Sequence, residues 1–258
     1  MIVFWKWTIK SFQRNMAYRL EYFVSLLNAL LYMFIFTSIW GAVFVEGQTK
    51  NGLTRELMIN YAIFATLIKV TVVKTRDFIG QRVRTGEIAV DLLKPFSLPM
   101  MTLADAVGSW IFQIFSRGIP LIALAIYFFE ISPPKGFDIE FLLSYVFSFF
   151  IFHGLLFMFG VASFYITDNF PLWLLNSSAV SLLSGSILPL QILPESVQKF
   201  AIFTPYPYLF YLPSMKLLRD DFPFEYALLR QVLVIVIIYF IGFVMYRYGK
   251  TRLHIQGG

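Results

Sequence analysis

Apolar positions along this chain gather into six long runs almost free of charge. The runs cover Tyr22 to Val45, Leu57 to Val73, Leu103 to Phe129, Phe141 to Thr167, Phe170 to Leu188 and Tyr226 to Tyr246. Within hydrocarbon every backbone N–H and C=O must be paired inside its own segment, and a helix needs ~20 apolar residues to cross. A membrane β-barrel would alternate apolar and polar positions, which these runs do not. The pattern predicts an all-α polytopic membrane protein, a single transmembrane domain over residues 1–258 with six transmembrane helices. The second run is the shortest, and Lys69 and Lys74 are placed to snorkel to its boundary.

Ahead of the first run a different period appears. Trp5, Ile9, Phe12 and Met16 recur at helical spacing on one face, while Lys6, Lys10 and Arg14 share another. Residues 1–19 therefore read as a basic amphipathic helix lying in the headgroup layer, the alternative being the charged flank of the first span. The same charges interrupt any signal-peptide core, so insertion is expected through the first span itself.

Two connections are long. Residues 76–101 mix charge with Ile, Val and Leu, which predicts short amphipathic helices. Gly86 and Pro95 bracket one of them, with Glu87 in its first turn and Lys94 in its last. Residues 184–221 are apolar and aromatic but broken by Pro189, Pro194, Pro205, Pro207 and Pro213. Pieces so short are tolerated at membrane depth only when buried in protein. Either a re-entrant hairpin or a pair of helices on the membrane surface satisfies that.

Charge sets the orientation. Thirteen Lys and Arg fall on the side holding the N-terminus, the 76–101 connection and the C-terminus, against seven on the other, with Arg117 inside the third run. The richer side is expected to be cytoplasmic, placing both termini inside a bacterial-type plasma (inner) membrane. The net charge of +6 sits beside apolar runs, so it reads as a topology signal and not as a nucleic-acid surface. Only 14% of residues are charged, against about 25% in a soluble domain.

Catalytic chemistry is excluded piece by piece. There is no cysteine, hence no disulfide, thiolate metal site or thiol nucleophile. His153 and His254 lie on different segments, so no metal site is expected. Gly249-Lys250-Thr251 resembles the end of a phosphate-binding loop, but the required earlier glycine is Val244 and no strand precedes it. The HExxH and GxSxG signatures are missing too. No catalytic residue is expected, and any ATP hydrolysis belongs to a partner.

Four features remain as candidates. Arg117, at membrane depth, either lines a pathway or packs against carbonyls, and Asp105 is too far along the helix to pair with it. His153 reads first as a hydrogen-bonded packing residue and second as a pathway group. Ser177, Ser181 and Gly185 repeat every four residues, as a close helix-packing seam does. Trp5, Trp7, Trp40, Trp110 and Trp173 read as an interfacial aromatic belt.

The whole arrangement resembles the permease subunits of ATP-binding cassette transporters of the type-2 exporter class. Three parts carry the likeness. These are the amphipathic helix before the first span, the stretch RTGEIAVDLLKPFSLP (residues 84–99), and SGSILPLQILPESVQKFAIFTPYPYLFY (residues 184–211) before the last. The resemblance implies a half-transporter that pairs with an identical or related second permease subunit and recruits separate ATPase subunits, where ATP and Mg would bind. It implies an elbow helix at 1–19 and a coupling region within 76–101, with Gln81, Arg82, Arg84 and Glu87 transmitting force. It implies an extracellular gate over 184–221, including Pro189, Pro194 and Pro205, and a substrate path between subunits. A channel or secondary transporter would instead need carboxylate relays or inverted repeats, and none is visible. A membrane scaffold would differ only in what docks on the cytoplasmic loop.

Overall fold

The computed structural model describes residues 1–17, 19–44, 52–73, 77–129, 131, 134, 136–166, 169–219 and 225–251. Among them every regular element is helical. Helix α1 (Ile2–Ala17) leads directly toward α2 (Arg19–Val43), and α3 (Arg55–Val72) returns. Two short helices follow, α4 (Phe78–Arg84) and α5 (Ile88–Leu93). The longest rod is α6 (Leu98–Gln113), continued through a π turn (Ile114–Gly118) into α7 (Ile119–Phe129). Then come α8 (Ile139–Ala162), α9 (Phe170–Leu183), α10 (Glu195–Ile202), α11 (Tyr211–Leu218) and α12 (Glu225–Gly249).

Among the described residues, four helices are long and apolar enough to cross a membrane: Leu20–Val43, Leu98–Phe129, Ile139–Ala162 and Tyr226–Gly249. The second and fifth runs fold as shorter helices, each for a local reason. In α3 the charges of Arg55, Glu56 and Lys69 lower the apolarity of an 18-residue helix, whose middle is buried in the bundle. The α9 helix has 14 residues and stops at Leu183, where the Ser184 hydroxyl bonds the Val180 carbonyl and Gly185 turns left-handed at φ 77°. The far ends of runs one and four, Val45 and Thr167, lie outside the described residues, as do Lys74, Arg76 and His254.

The π turn has a cause in the sequence. Pro120 has no N–H to donate, and its ring crowds the carbonyl four residues back. The Ile119 N–H reaches the Ile114 carbonyl instead, five residues away, which widens the turn without leaving the helix.

The bundle has two distinct ends. At the end called proximal here, α1 packs along α6, and α4 packs on the last turns of α8. At the distal end, residues 184–219 fold back on themselves, with the Tyr211 N–H bonded to the Ser184 carbonyl at 2.9 Å. Their side chains go inward: Leu209, Phe210 and Met215 have no exposed surface. Between the ends α3 supplies the centre, with Met58, Tyr61 and Ile63 wholly buried. Outward faces stay apolar, as lipid contact requires: Phe23, Leu27 and Leu31 on α2, and Leu233, Val236 and Phe240 on α12, are exposed.

The α1–α6 crossing is the tightest of these contacts. A Cβ at Gly108 would sit 2.3 Å from the Thr8 carbonyl oxygen and 2.8 Å from the Ser11 Cβ. Only a residue without a side chain lets the two backbones approach so closely. Gly108→Ala should therefore lower stability by roughly 1–3 kcal/mol through overpacking. Thermal unfolding of the purified chain in detergent measures it, and an unchanged midpoint would refute the crossing.

Candidate functional site

The proximal end brings the predicted coupling residues together with the amphipathic helix. Helix α4 starts because Asp77 accepts the Gly80 N–H at 2.9 Å, and Asp77 is itself held by the Asn169 amide at 2.6 Å. Helices α4 and α5 are joined at Gly86, whose φ of 75° makes the sharp left-handed turn that side chains disfavour. The resulting helical hairpin is closed by a buried carboxylate. Asp91, with 1% of its side chain exposed, accepts from Arg82 at 2.5 Å and from Lys94 at 2.7 Å. Arg82 also lies 3.6 Å from Glu87 and covers the Phe78 ring at 4.5 Å. Lys94 stacks over Trp7 of α1 at 5.4 Å, so the amphipathic helix touches the hairpin directly.

A second buried carboxylate fastens α1 to α6. Asp105, 1% exposed, pairs with Arg14. Ser11 donates to the Asp105 carbonyl at 2.8 Å, and Asn15 donates to the Ser109 hydroxyl at 3.1 Å. Between the two locks lies a polar cleft of about 210 Å³ bounded by Arg14, Gln81, Arg82, Glu87 and Asp105. Of the four residues expected to couple, Arg82 points inward to Asp91, while Gln81, Arg84 and Glu87 face out. Val90 and Leu93 are exposed beside them, at 61% and 86%. Their exposure was not anticipated from sequence, although Val90 stands one helical turn from Glu87.

The intramembrane candidates divide. Arg117 sits in the π turn and donates to the Gln113 side chain at 3.2 Å, one turn back. His153 is buried between α8 and α12, its Nδ1 2.6 Å from the Tyr239 hydroxyl, with the Phe149 and Phe157 rings stacked on either side. Ser177 and Ser181 remain on one face of α9 and Ser181 bonds the Ser177 carbonyl. Gly185 lies past the helix end, where its carbonyl accepts from Tyr61 at 2.5 Å.

The distal segment is anchored at several points. Ser148 of α8 and Gln231 of α12 both donate to the Tyr208 carbonyl at 3.0 Å. Pro189 is buried, Pro205 half-buried and Pro194 exposed. Lys216, 7% exposed, lies 2.9 Å from Asp138 and 2.8 Å from Glu140, pinning α11 to the start of α8. The Lys216 hydrogen bond, and next the Phe141 N–H, hold the Asp138 carboxyl below its ordinary value. The hydrogen bonds to Glu140 and then Asp138 raise Lys216 above its own.

A family model described as ABC-2 family transporter protein matches residues 20–257. No curated protein matches the chain.

Two outcomes follow from the ion pairs. Asp91→Asn keeps the size of the side chain but removes the charge that Arg82 and Lys94 share, which should loosen the α4–α5 hairpin locally by roughly 1–3 kcal/mol. Limited trypsin digestion after Arg84 should accelerate while the global unfolding midpoint moves little, and an unchanged digestion rate would exclude the lock. At the distal end the signs oppose. Asp138 is depressed, so its contribution is present above 3.8 and lost as pH falls through its folded value. Lys216 is raised, so its contribution holds below 10.5 and is lost as pH rises past that. Stability should form a plateau with an acid limb below about pH 4. Asp138→Asn, which still caps α8, should shrink that limb. A limb of equal depth in both proteins would assign it to other carboxylates.

Proposed function

The chain belongs to the ABC-2 family of transporter proteins, and from that premise we propose that it is the permease subunit of an ATP-driven exporter. Membrane subunits of this family generally are not catalytic and pair with ATP-binding cassette ATPases. In the proposed assembly two permease subunits, identical or related, form the substrate path, and two ATPase subunits bind ATP and Mg below it. Six spans are assigned to α2, α3, α6–α7, α8, α9 and α12. Helix α1 is the elbow in the headgroup layer, both termini face the cytoplasm of a bacterial-type cell, and residues 184–219 form a re-entrant gate at the outer mouth.

One observation carries this reading. The α4–α5 hairpin is rigidly closed by Asp91, yet it presents Gln81, Arg84, Glu87, Val90 and Leu93 outward at the end where α1 lies. A purely structural loop gains nothing by exposing Leu93 beside charges. A docking surface needs an apolar anchor with a charged rim. Force applied to that surface has a short way to travel. Phe78 and Ile79 of α4 line a small cavity together with His153 and Phe157 of α8 and Thr102 of α6. The buried, ring-stacked setting of His153 fits a packing role on that route better than proton transfer. Arg117 is the better candidate for the path, since it stands in an irregular turn at membrane depth and is only partly buried.

The test is co-expression with candidate ATPase subunits, followed by purification in nanodiscs. Arg84→Glu and Glu87→Lys should weaken the complex or uncouple ATP hydrolysis from transport. Leu93→Asp should do so more strongly, because it removes the apolar anchor. Asp91→Asn should weaken coupling by loosening the hairpin that carries the docking residues, without changing their identity. If no ATPase co-purifies and the exposed reversals change nothing, the hairpin is not a coupling element, and a scaffold or ATPase-independent channel replaces this reading.

A further inference from the structure

The distal end also holds a groove that the transport reading leaves unused. It measures about 400 Å³ and lies between α10, the Tyr206–Tyr208 turn, α11 and the first turns of α12. Ile202 and Leu212 contribute apolar wall, Gln198 and Tyr211 polar wall, and Tyr226 with Arg230 forms the rim on α12. Tyr226 is 74% exposed, and Leu229 and Leu233 beside it are exposed as well, so this rim faces whatever surrounds the bundle.

Among the described residues the charge in the groove is one-sided. Arg230 is the single cation among its lining residues, and no carboxylate lines it among the described residues. On α11, Lys216 is already held between Asp138 and Glu140. The depth is informative too. The apolar stretch of α12 begins at Tyr226, four residues before Arg230. At 1.5 Å per residue that places Arg230 about 6 Å inside the helix end, at the boundary between headgroups and acyl chains. A guanidinium there offers several donors in a fork that fits a phosphodiester, with an aromatic hydroxyl alongside and an apolar trough beneath.

We propose that this groove binds an anionic phospholipid of the distal leaflet, with Arg230 on the phosphate and the upper acyl chain lying against Ile202 and Leu212. The bound lipid would bridge α10 and α12, two elements that the protein's own contacts scarcely join. The site requires only that the chain be embedded in a bilayer, so it stands or falls independently of any ATPase partner.

The experiment uses the full chain reconstituted in nanodiscs of dioleoylphosphatidylglycerol or dioleoylphosphatidylcholine, then released into mild detergent for native mass spectrometry. The wild-type chain should retain phosphatidylglycerol in preference to phosphatidylcholine. Arg230→Gln should cut the retained phosphatidylglycerol about fivefold, the worth of one interfacial cation toward an anionic lipid. Arg230→Lys should keep most of it. Arg247→Gln, at the opposite end of α12, should change nothing. Retention unaffected by Arg230→Gln overturns the proposal, as does an equal loss in Arg247→Gln, which would mean diffuse surface attraction. Displacement of the lipid by millimolar inorganic phosphate overturns it as well, because the ligand would then be a free anion.

Discussion

Two aspartates, Asp91 and Asp105, carry the proximal end of this molecule. A carboxylate taken out of water costs several kcal/mol unless a cation and hydrogen bonds replace the lost solvent. Each is 1% exposed, and each takes its cation from a different place in the fold: Arg82 and Lys94 flank Asp91 within the hairpin, while Arg14 comes to Asp105 from another helix. Remove either pair and an uncompensated charge is left where lipid or protein has excluded water. The position of α1 on α6 and the closure of the α4–α5 hairpin therefore depend on the same electrostatic demand. Apolar packing alone would not fix them, because in a bilayer apolar faces meet lipid as comfortably as they meet each other.

The distal end solves the same problem by different means. Its chain is irregular and proline-broken, so its backbone groups cannot satisfy one another along a helix. Neighbours supply the missing partners: Tyr61 reaches the Gly185 carbonyl, and Ser148 and Gln231 converge on the Tyr208 carbonyl. Three helices thus donate side-chain hydrogen bonds to one segment. That is the condition under which non-helical backbone is tolerated near hydrocarbon, and it ties the segment to α3, α8 and α12 at once.

Much of this was readable in the chain. The apolar runs located every long helix, and the period of Trp5, Ile9, Phe12 and Met16 located α1. Gly86 and Pro95 bracketed α5, because each is a local signal with a known turn preference, while the closing of α4 against α5 was not foreseen. The ion pairs were not readable. Arg14 and Asp105 are 91 residues apart, and nothing near either names the other. Asp105 could be weighed only against Arg117 on its own helix. Asp91 and Lys216 were passed over for a related reason. Each looked like an ordinary residue of a charged connection, and only tertiary packing buries it. The early end of α9 was missed because Ser184 and Gly185 sit inside an unbroken apolar run, where hydropathy records no stop.

The π turn at Ile114–Gly118 gives the longest helix a property that straight helices lack. Such a turn holds one residue more than an α turn, which moves the facing of every later side chain ~100° around the axis. Below it, α6 is fixed to α1 through Gly108 and Asp105; above it, α7 turns Leu121 and Ala125 into the core. The two halves thus meet at a joint whose place Pro120 fixes, and the extra residue of the wide turn sets the angular offset between the face that α6 gives to α1 and the face that α7 gives to the core. In a solvent that punishes each broken backbone bond, such a joint re-aims a helix face without opening it.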